Sequence, residues 1–435
     1  MGAASRTAGA TPTQTLSEEL RDFDEFGTPT TVCTTTAVGP GGRVYVDTFV
    51  NEFWTSKQRA ANRLHEVSYR ACFKPQLPRF FIERLTDEGD IVYDPFMGRG
   101  TTPLEAAFLG RVPYGCDVNP LSQVLVRPRL EPPEPGDVED RLREIGLSEE
   151  RKSDGSATST PSAADAGDVP IEELLVFYHP DTLSELLTLR DYFLERASNG
   201  LLDATDRWIR MVAVNRLTGH SSGFFSVYTL PPNQAVSARS QRRINERRGQ
   251  TPPRRHVSAL IAKKTGTLLS GVGKRERAAL SAVREHSLLL TGAAQGTPQI
   301  ESGSVALVVT SPPFLDVVDY ARDNWLRCWF CGIRADDVEV TVTPDLDTWR
   351  EAMTETFREL ERVLRPGGRV AFEVGEVRAG TVRLEESVIP CGMSAGLSPE
   401  LVLINDQEFT KTANCWGVSN RDKGTNTNRV VLFRK

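Results

Sequence analysis

Residues 311–314, Ser-Pro-Pro-Phe, directly follow the short apolar run 305–309, which is β-branched at three of its five positions. Such a run is typical of a strand buried on both faces, so the groups behind it are expected at the strand's carboxyl end. Two consecutive prolines have no N–H and hold φ near about −65°, which fixes the carbonyls of Ser311 and Pro312 as hydrogen-bond acceptors. The Ser311 hydroxyl and one such carbonyl can accept the two hydrogens of an exocyclic amine, while Phe314 stacks on its ring. The stretch therefore predicts a site for a planar aromatic amine.

A second stretch, residues 91–102, is typical of a strand that ends in a glycine-rich turn and runs into a helix. Gly98 and Gly100 let the backbone approach a ligand, and the N-terminus of the helix favours a carboxylate. Asp94 is placed to meet a ligand amino group or the turn's own backbone. The next predicted strand ends in Asp117, where an acid accepts from ribose hydroxyls in dinucleotide folds. A dinucleotide enzyme therefore stays open for this half, although the chain lacks a GxGxxG and such an enzyme leaves the Ser-Pro-Pro stretch unexplained.

Together the two stretches resemble the amino-methyltransferases of DNA, which move a methyl group from S-adenosylmethionine to the N4 amine of cytosine or the N6 amine of adenine. The resemblance covers roughly residues 52–127 and 286–435. It implies S-adenosyl-L-methionine as cofactor, no metal, and a catalytic role for Ser311, Pro312, Pro313 and Phe314. In the family, Ser-Pro-Pro-Tyr/Phe is the commoner cytosine form and Asp-Pro-Pro-Tyr the commoner adenine form. We therefore expect methylation of cytosine N4, with adenine N6 as the alternative.

The same resemblance assigns cofactor contacts along the first half of the chain. They are Phe73, Lys74, Pro75, Asp94, Pro95, Phe96, Gly98, Gly100, Thr101, Thr102, Asp117 and Asn119. The chain departs from the family at Ala293, where relatives usually have an acid that meets the adenine amine, and at Ala306, where they often have an acid. Another side chain or a backbone carbonyl must then contact the adenine ring.

Charge is unevenly distributed along the chain. The net charge is −6, yet residues 239–277 hold twelve Lys or Arg against two Glu. Since the other motifs indicate DNA, we expect this stretch to contact phosphates, although a solvated face is the alternative. The predicted contacts are Arg242, Arg243, Arg247, Arg248, Arg254 and Arg255. Double-stranded DNA is the expected partner, and a cognate restriction endonuclease would act separately.

Composition is that of an ordinary globular protein, with 435 residues, 39% hydrophobic and 25% charged. Seven cysteines, an odd number, argue against a disulfide framework. No stretch approaches the roughly 18 apolar residues of a membrane span, so we expect a cytoplasmic protein that associates with the nucleoid through DNA. Two other classes stay open: an RNA guanine-N2 methyltransferase, which shares the glycine turn and a Pro-Pro loop, and a non-catalytic DNA-binding relic.

The order of these features predicts an α/β protein with a Rossmann-like, seven-stranded class I methyltransferase sheet and a mainly helical, basic insertion. Residues 1–50 form a partly disordered extension that contains a small hairpin. Residues 51–127 form the cofactor-binding half and 286–435 the catalytic half. Residues 128–285 form a target-recognition module with a disordered linker at 153–168, which is rich in Ser, Ala, Thr, Gly and Asp.

Overall fold

The computed structural model describes residues 15–55, 61–69, 72–147, 169–229, 236–313, 320–334, 338, 345–377, 382–406 and 427–435. The strands are β1 (Thr31–Gly39), β2 (Gly42–Asn51), β3 (Ile91–Asp94), β4 (Val112–Asp117), β5 (Leu288–Thr291), β6 (Val305–Thr310), β7 (Leu364–Val374), β8 (Glu376–Val377), β9 (Val382–Arg383), β10 (Ser398–Asp406) and β11 (Thr427–Arg434). The helices are α1 (Leu16–Arg21), α2 (Gln76–Leu85), α3 (Thr101–Phe108), α4 (Leu121–Leu130), α5 (Pro135–Glu144), α6 (Ile171–Leu174), α7 (Pro180–Ser198), α8 (Ala204–Val214), α9 (Ala238–Arg248), α10 (Val257–Leu269), α11 (Lys274–Arg284), α12 (Tyr320–Phe330), α13 (Leu346–Val363) and α14 (Leu384–Ser394), with a 3-10 turn at Arg63–His65.

One mixed sheet organises the molecule, with the strand order β1-β2-β10-β11-β7-β6-β3-β4-β5. From β7 to β5 the neighbouring strands are parallel. β11 is antiparallel to both β7 and β10, while β2 is parallel to β10 and antiparallel to β1. β8 and β9 pair with each other in a separate ribbon.

β6 is the predicted strand before the Ser-Pro-Pro stretch, and all six of its residues are buried. Val308 packs in the cluster that contains Phe357 of α13. Leu307 and Val309 pack on the opposite face, in the cluster that contains Phe80 of α2. Because helices cover both faces, the strand needs apolar residues at successive positions, which explains its unbroken apolar run.

The predicted number of seven strands is wrong, since the sheet has nine. The N-terminal hairpin was predicted as part of the extension, but it joins the sheet through a parallel pairing that runs from Val402↔Thr48 to Asn405↔Asn51. The Asn405 side chain then accepts the N–H of Phe53 at 2.7 Å. These contacts join residues about 350 positions apart, so no local pattern could predict them.

Helices α5 to α11 lie in the predicted insertion, whose described residues are mainly helical. Trp208 of α8 and Leu268 of α10 share one hydrophobic cluster with Leu104 of α3 and Leu125 of α4. The proposed boundary between 127 and 128 lies inside α4. The helices therefore pack directly on the cofactor-binding half. The predicted linker at 153–168 lies outside the described residues, and within the described ranges no helix has the length and apolarity of a membrane span.

Candidate functional site

A pocket opens where the connections of the sheet change direction, between β3 and β6. In open α/β sheets this switch point forms a crevice at the carboxyl ends of the strands. The pocket encloses about 890 Å³ of empty space, part of it open to solvent. It is lined by Tyr69, Cys72, Phe73, Asp94, Pro95, Phe96, Met97, Gly98, Thr101, Asp117, Val118, Asn119, Gly292, Ala294, Gln295, Ser311, Pro313 and Met353. The two stretches with predicted chemistry, far apart in the sequence, thus meet in one cavity.

Most predicted cofactor residues line this pocket, namely Phe73, Asp94, Pro95, Phe96, Gly98, Thr101, Asp117 and Asn119. The other four, Lys74, Pro75, Gly100 and Thr102, are not among its lining residues. Thr102 lies behind the pocket, where its hydroxyl donates to the Val309 carbonyl at 3.0 Å and ties α3 to β6. Pro75 is buried at the N-terminus of α2. Thr102 and Pro75 therefore stabilise the elements around the pocket and do not line it.

The two glycines of the turn after β3 have different tasks. Both have left-handed backbone conformations, with φ of +47° at Gly98 and +73° at Gly100. A Cβ on Gly98 would lie 3.4 Å from the Tyr69 ring, on the pocket side. A Cβ on Gly100 would lie 2.4 Å from Cγ2 of Val126, so a side chain there would collide with α4. The missing side chain at Gly98 therefore leaves space in the pocket, and the one at Gly100 lets the turn pack against α4.

A buried pair of arginines holds the turn against the segment that precedes α2. Arg99 is 8% exposed, and its guanidinium donates to the carbonyls of His65 and Phe73, both at 3.3 Å. Arg129 is fully buried and donates to the carbonyl of Arg99. Burial and the neighbouring Arg99 charge lower the pKa of Arg129 to about 9. The sequence analysis did not identify this pair, and the only signal for Arg99 was its place between the two glycines.

Asp94 connects the two strand ends that frame the pocket. Its Oδ1 accepts the Thr310 hydroxyl at 2.6 Å and the Phe96 N–H at 3.1 Å. Burial raises the pKa of Asp94 to about 7, although both hydrogen bonds favour the ionised form. Of its two predicted tasks, the contact with the turn's own backbone is confirmed. Contact with a ligand amino group stays a prediction.

Asp117 fixes the turns after β3 and β4. Its Oδ2 accepts the Gly98 N–H at 2.8 Å and its Oδ1 accepts the Asn119 N–H at 2.9 Å. Burial raises the pKa of this carboxyl, and the two N–H donors oppose the shift. A carboxylate oxygen accepts more than one hydrogen bond, so each oxygen keeps capacity for a ligand hydroxyl.

The loop after β5 lacks the acid that the DNA amino-methyltransferases usually have at this place. Another polar residue of the same loop lines the pocket. Ala293 is exposed, whereas Gln295 lines the cavity. The loop is anchored at both ends: Gly292 donates to the last carbonyl of β4 at 2.9 Å, and the Thr297 N–H donates to Glu359 Oε1 at 2.7 Å. Gln295 is thus a polar residue of this loop at the pocket wall.

The Ser-Pro-Pro loop is held from one side by a tryptophan. Ser311 and Pro313 line the pocket, and Pro312 is buried. The Trp349 indole N–H donates to the Pro313 carbonyl at 3.0 Å, which leaves the Ser311 and Pro312 carbonyls as the predicted acceptors. Phe314, the predicted stacking ring, lies outside the described residues.

Glu373 is a site residue that the sequence analysis missed. The parallel register of β6 and β7 pairs Thr310 with Phe372, which brings Glu373 next to Ser311. The Ser311 side chain hydrogen-bonds this carboxylate, and Asn428 Nδ2 donates to its Oε1 at 3.0 Å. Burial raises the pKa of Glu373 to about 7. The available signal was an acid inside an otherwise apolar predicted strand.

Helix α9 carries four of the six predicted DNA contacts. Arg242, Arg243, Arg247 and Arg248 are all exposed on it. Arg248 stacks on the Tyr228 ring, with 3.9 Å from Cζ to the ring centroid. The other two predicted DNA contacts lie beyond α9: Arg254 pairs with Asp181 at 3.3 Å, and Arg255 is partly buried, with its backbone bonded to Thr182. Four exposed arginines thus lie on one helix, and their contact with DNA remains a prediction.

Comparison with known proteins gives one family match, to the family described as DNA methylase, over residues 39–122. This region runs from the β1–β2 hairpin through the glycine turn into α4. The large mixed sheet with helices on both faces is an α/β fold.

Among individual proteins, the Type II methyltransferase M.MvaI of Kocuria varians is 36% identical over 103 residues, 21% of this chain and 22% of that protein. The Type II methyltransferase M.BsoBI of Geobacillus stearothermophilus is 24% identical over 294 residues, 61% of this chain and 52% of that protein. The chain thus spans from about a fifth to half of the length of these relatives. The solved structure of the rRNA methyltransferase aviRa of Streptomyces viridochromogenes is 12% identical, with 88% of this chain and 94% of that chain covered and a TM-score of 0.32. This chain is thus similar, over the regions given, to a family described as DNA methylase and to two Type II methyltransferases.

Proposed function

We propose that this protein is a site-specific DNA methyltransferase that transfers a methyl group from S-adenosylmethionine to the N4 amine of a flipped cytosine. The observation that carries the proposal is the convergence of the glycine turn, Asp117 and Ser311 on one pocket, with Glu373 behind Ser311. The same acceptors would bind the N6 amine of adenine, which is the alternative. The Ser-Pro-Pro-Phe sequence favours cytosine.

The residues of the pocket fit the cofactor. Bound S-adenosylmethionine would supply a methyl group on a positively charged sulfur. The backbone of Gly98 and the N-terminus of α3 would hold its methionine part, and Asp117 would accept from the ribose hydroxyls. The Gln295 amide can both donate to and accept from the edge of the adenine ring.

Ser311 and the adjacent carbonyls would activate the amine. The lone pair of an aromatic amine is delocalised into the ring, so the nitrogen is a poor nucleophile until its hydrogens are held in a pyramidal arrangement. The Ser311 hydroxyl and the fixed Pro312 carbonyl would accept those two hydrogens and aim the lone pair at the methyl group. Nitrogen then gains the methyl carbon, and the electrons of the broken carbon–sulfur bond stay on sulfur.

Glu373 would take up the proton that the methylated nitrogen must lose. Its carboxylate accepts the Ser311 hydroxyl hydrogen, which leaves the serine lone pairs directed at the amine. As charge develops on nitrogen, one proton moves to Ser311 Oγ and the serine proton moves to Glu373. A carboxyl with a pKa of about 7 is suited to this exchange near neutral pH.

The decisive experiment is mass spectrometry of nucleosides from DNA and RNA of cells that express the protein. N4-methylcytosine in DNA is expected, since an amine buried in a duplex is reached by flipping the base out of the stack. N6-methyladenine would support the alternative. 5-Methylcytosine, or N2-methylguanosine in RNA alone, would contradict the proposal, and cells that do not express the protein provide the baseline.

The pH dependence of methyl transfer should report the state of Glu373. Its pKa is raised to about 7, so the carboxylate form that accepts the proton disappears as the pH falls through 7. We expect the single-turnover rate at saturating cofactor to fall about tenfold per pH unit below pH ~7 and to be level above it. Glu373→Gln should be slow and insensitive to pH over this range. A wild-type rate that stays level down to pH 5 would exclude this role.

Neutralising arginines of α9 should weaken DNA binding regardless of sequence. Each phosphate contact contributes about 0.9 to the slope of log affinity against log salt concentration for duplex DNA. We expect Arg242→Gln with Arg243→Gln to reduce that slope by about two in fluorescence anisotropy titrations. The matched control is Arg43→Gln with Arg358→Gln, which removes two exposed arginines elsewhere. Equal slopes for the two double variants would mean that α9 is only a solvated face.

A further inference from the structure

Three neighbouring strands each contribute one polar residue to the same face of the sheet, at the edge where the pocket lies. Glu373 is on β7, Ser311 follows β6 on one side of it, and Asn428 is on β11 on the other side. Glu373 is 6% exposed, and the other two residues are partly buried. The carboxylate therefore lies between two uncharged polar side chains, one from each flanking strand.

The register of the strands places Asn428 on the face that Glu373 and Ser311 share. β11 is antiparallel to β7 and pairs Val430 with Glu373. Asn428 is two residues before Val430, so its side chain is on the same face, diagonally across from Glu373 and within reach of a long side chain. The apolar cluster on this face contains both Val430 and Val309, which is two residues before Ser311. The hydrogen bond from Asn428 Nδ2 to Glu373 Oε1, at 3.0 Å, agrees with this register.

The Asn428 amide fixes the orientation of the Glu373 carboxylate, whose last side-chain torsion is otherwise soft. A carboxylate only accepts hydrogen bonds, so the nitrogen of the amide must face it. Because Oε1 accepts from β11, the carboxylate is held on the side away from β6 and keeps acceptor capacity for the Ser311 hydroxyl on the other side. In the part of the chain that the structure describes, these two side chains are the hydrogen-bond partners of Glu373, and neither carries a charge.

Charged groups on the surrounding elements have other partners. Asp94 ends β3, two strands from Glu373, and accepts the Thr310 hydroxyl at 2.6 Å. Arginines of β11 and of the helices α1 and α2, which share the apolar cluster of this face, pair with other carboxylates: Arg429 with Glu385, Arg21 with Asp47, Arg79 with Glu105 and Arg84 with Glu19. Burial raises the pKa of Glu373, and the hydrogen bonds from Asn428 and then Ser311 oppose the rise because they favour the ionised form.

We propose that Asn428 is a positioning residue for methyl transfer, because its amide holds the Glu373 carboxylate in the orientation that accepts the Ser311 proton. This inference rests on the proposed function, in which Glu373 takes up the proton that the methylated nitrogen loses. Asn428 is not among the lining residues of the pocket, so it acts through Glu373. Its hydrogen bond also keeps the carboxyl ionised at a lower pH than burial alone would allow.

The test compares the pH dependence of single-turnover methyl transfer, at saturating cofactor and DNA, in wild type and in Asn428→Leu, whose branched side chain has a similar length but no donor. Loss of a hydrogen bond that favours the carboxylate raises its pKa, so the proton acceptor is present only at higher pH. We expect the midpoint of the rate profile to move up by about one pH unit, which lowers the rate about tenfold at pH ~6. Asn428→Gln keeps an amide donor and should retain the wild-type midpoint.

Carbon-13 NMR of the glutamate side-chain carboxyls gives a second readout that needs no turnover. The signal of Glu373 is identified by its absence in Glu373→Gln, and it should titrate near pH 7 in wild type and about one unit higher in Asn428→Leu. The matched control is Asn405→Leu, since Asn405 lies opposite Asn428 on β10 but accepts the Phe53 N–H at 2.7 Å instead. The control should lower the melting temperature and leave both midpoints unchanged.

Several outcomes would overturn the inference. One is a wild-type midpoint in Asn428→Leu, in either measurement, and another is an equal shift in Asn428→Gln or in Asn405→Leu. A shift of the NMR titration without a shift of the rate profile would mean that methyl transfer does not use this carboxylate. If Asn428→Leu does not fold, Asn428→Ala takes its place with the same expectations. Wild-type protein that binds the cofactor but methylates no DNA would overturn the proposed function as well, whereas wild-type transfer with an unshifted Asn428→Leu profile would overturn this inference alone.

Discussion

Ser311→Ala is expected to lower the single-turnover rate of methyl transfer by about 10²-fold or more, the usual effect of losing one positioned transition-state hydrogen bond. The variant loses both the acceptor for one amine hydrogen and the link through which the proton reaches Glu373. Cofactor affinity and DNA affinity should remain close to wild type, because Asp94 and Thr310 still hold the end of β6. Rapid-quench methylation with product nucleosides resolved by mass gives the rate.

Two further variants test whether the Ser-Pro-Pro loop takes part in methyl transfer or only maintains the structure of the site. Ser311→Asp should keep some activity, since a carboxylate also accepts from an amine. Trp349→Phe removes the hydrogen bond to the Pro313 carbonyl without changing Ser311, so it should affect the rate much less than Ser311→Ala. A Ser311→Ala enzyme that methylates at the wild-type rate would exclude the proposed mechanism.

Gly98→Val is expected to weaken S-adenosylmethionine binding by at least about 100-fold. Gly98 has φ of +47°, and a left-handed conformation costs an L-residue about 1–2 kcal/mol. The new side chain would also point at the Tyr69 ring, into the space that the ligand needs. Isothermal titration calorimetry with S-adenosylmethionine, and with its demethylated product, measures the loss without requiring turnover.

The matched control is Gly110→Val, since Gly110 has φ of +73° but does not line the pocket. Both variants should lower the melting temperature by similar amounts, because both strain one residue of a turn. The loss of cofactor affinity should occur only in Gly98→Val. Unchanged affinity in a folded Gly98→Val protein would mean that the cofactor binds elsewhere.

The sequence was sufficient for features that are encoded locally. The unbroken apolar run of β6 follows from burial on both faces, and the glycines of the turn after β3 follow from its left-handed backbone. Parallel strands in such a sheet present their carboxyl ends at one edge, and the pocket joins Asp94, Gly98 and Ser311 at that edge.

What the sequence could not determine depends on contacts between distant segments. Glu373 reaches Ser311 only because β7 pairs with β6 in a particular register, and a shift of one residue would turn its side chain to the other face. The hairpin joins the sheet through β10, about 350 residues later in the chain, which is why seven strands were predicted instead of nine. Local patterns of apolar residues, glycine and proline define each element, but register and packing energy decide which polar side chains become neighbours.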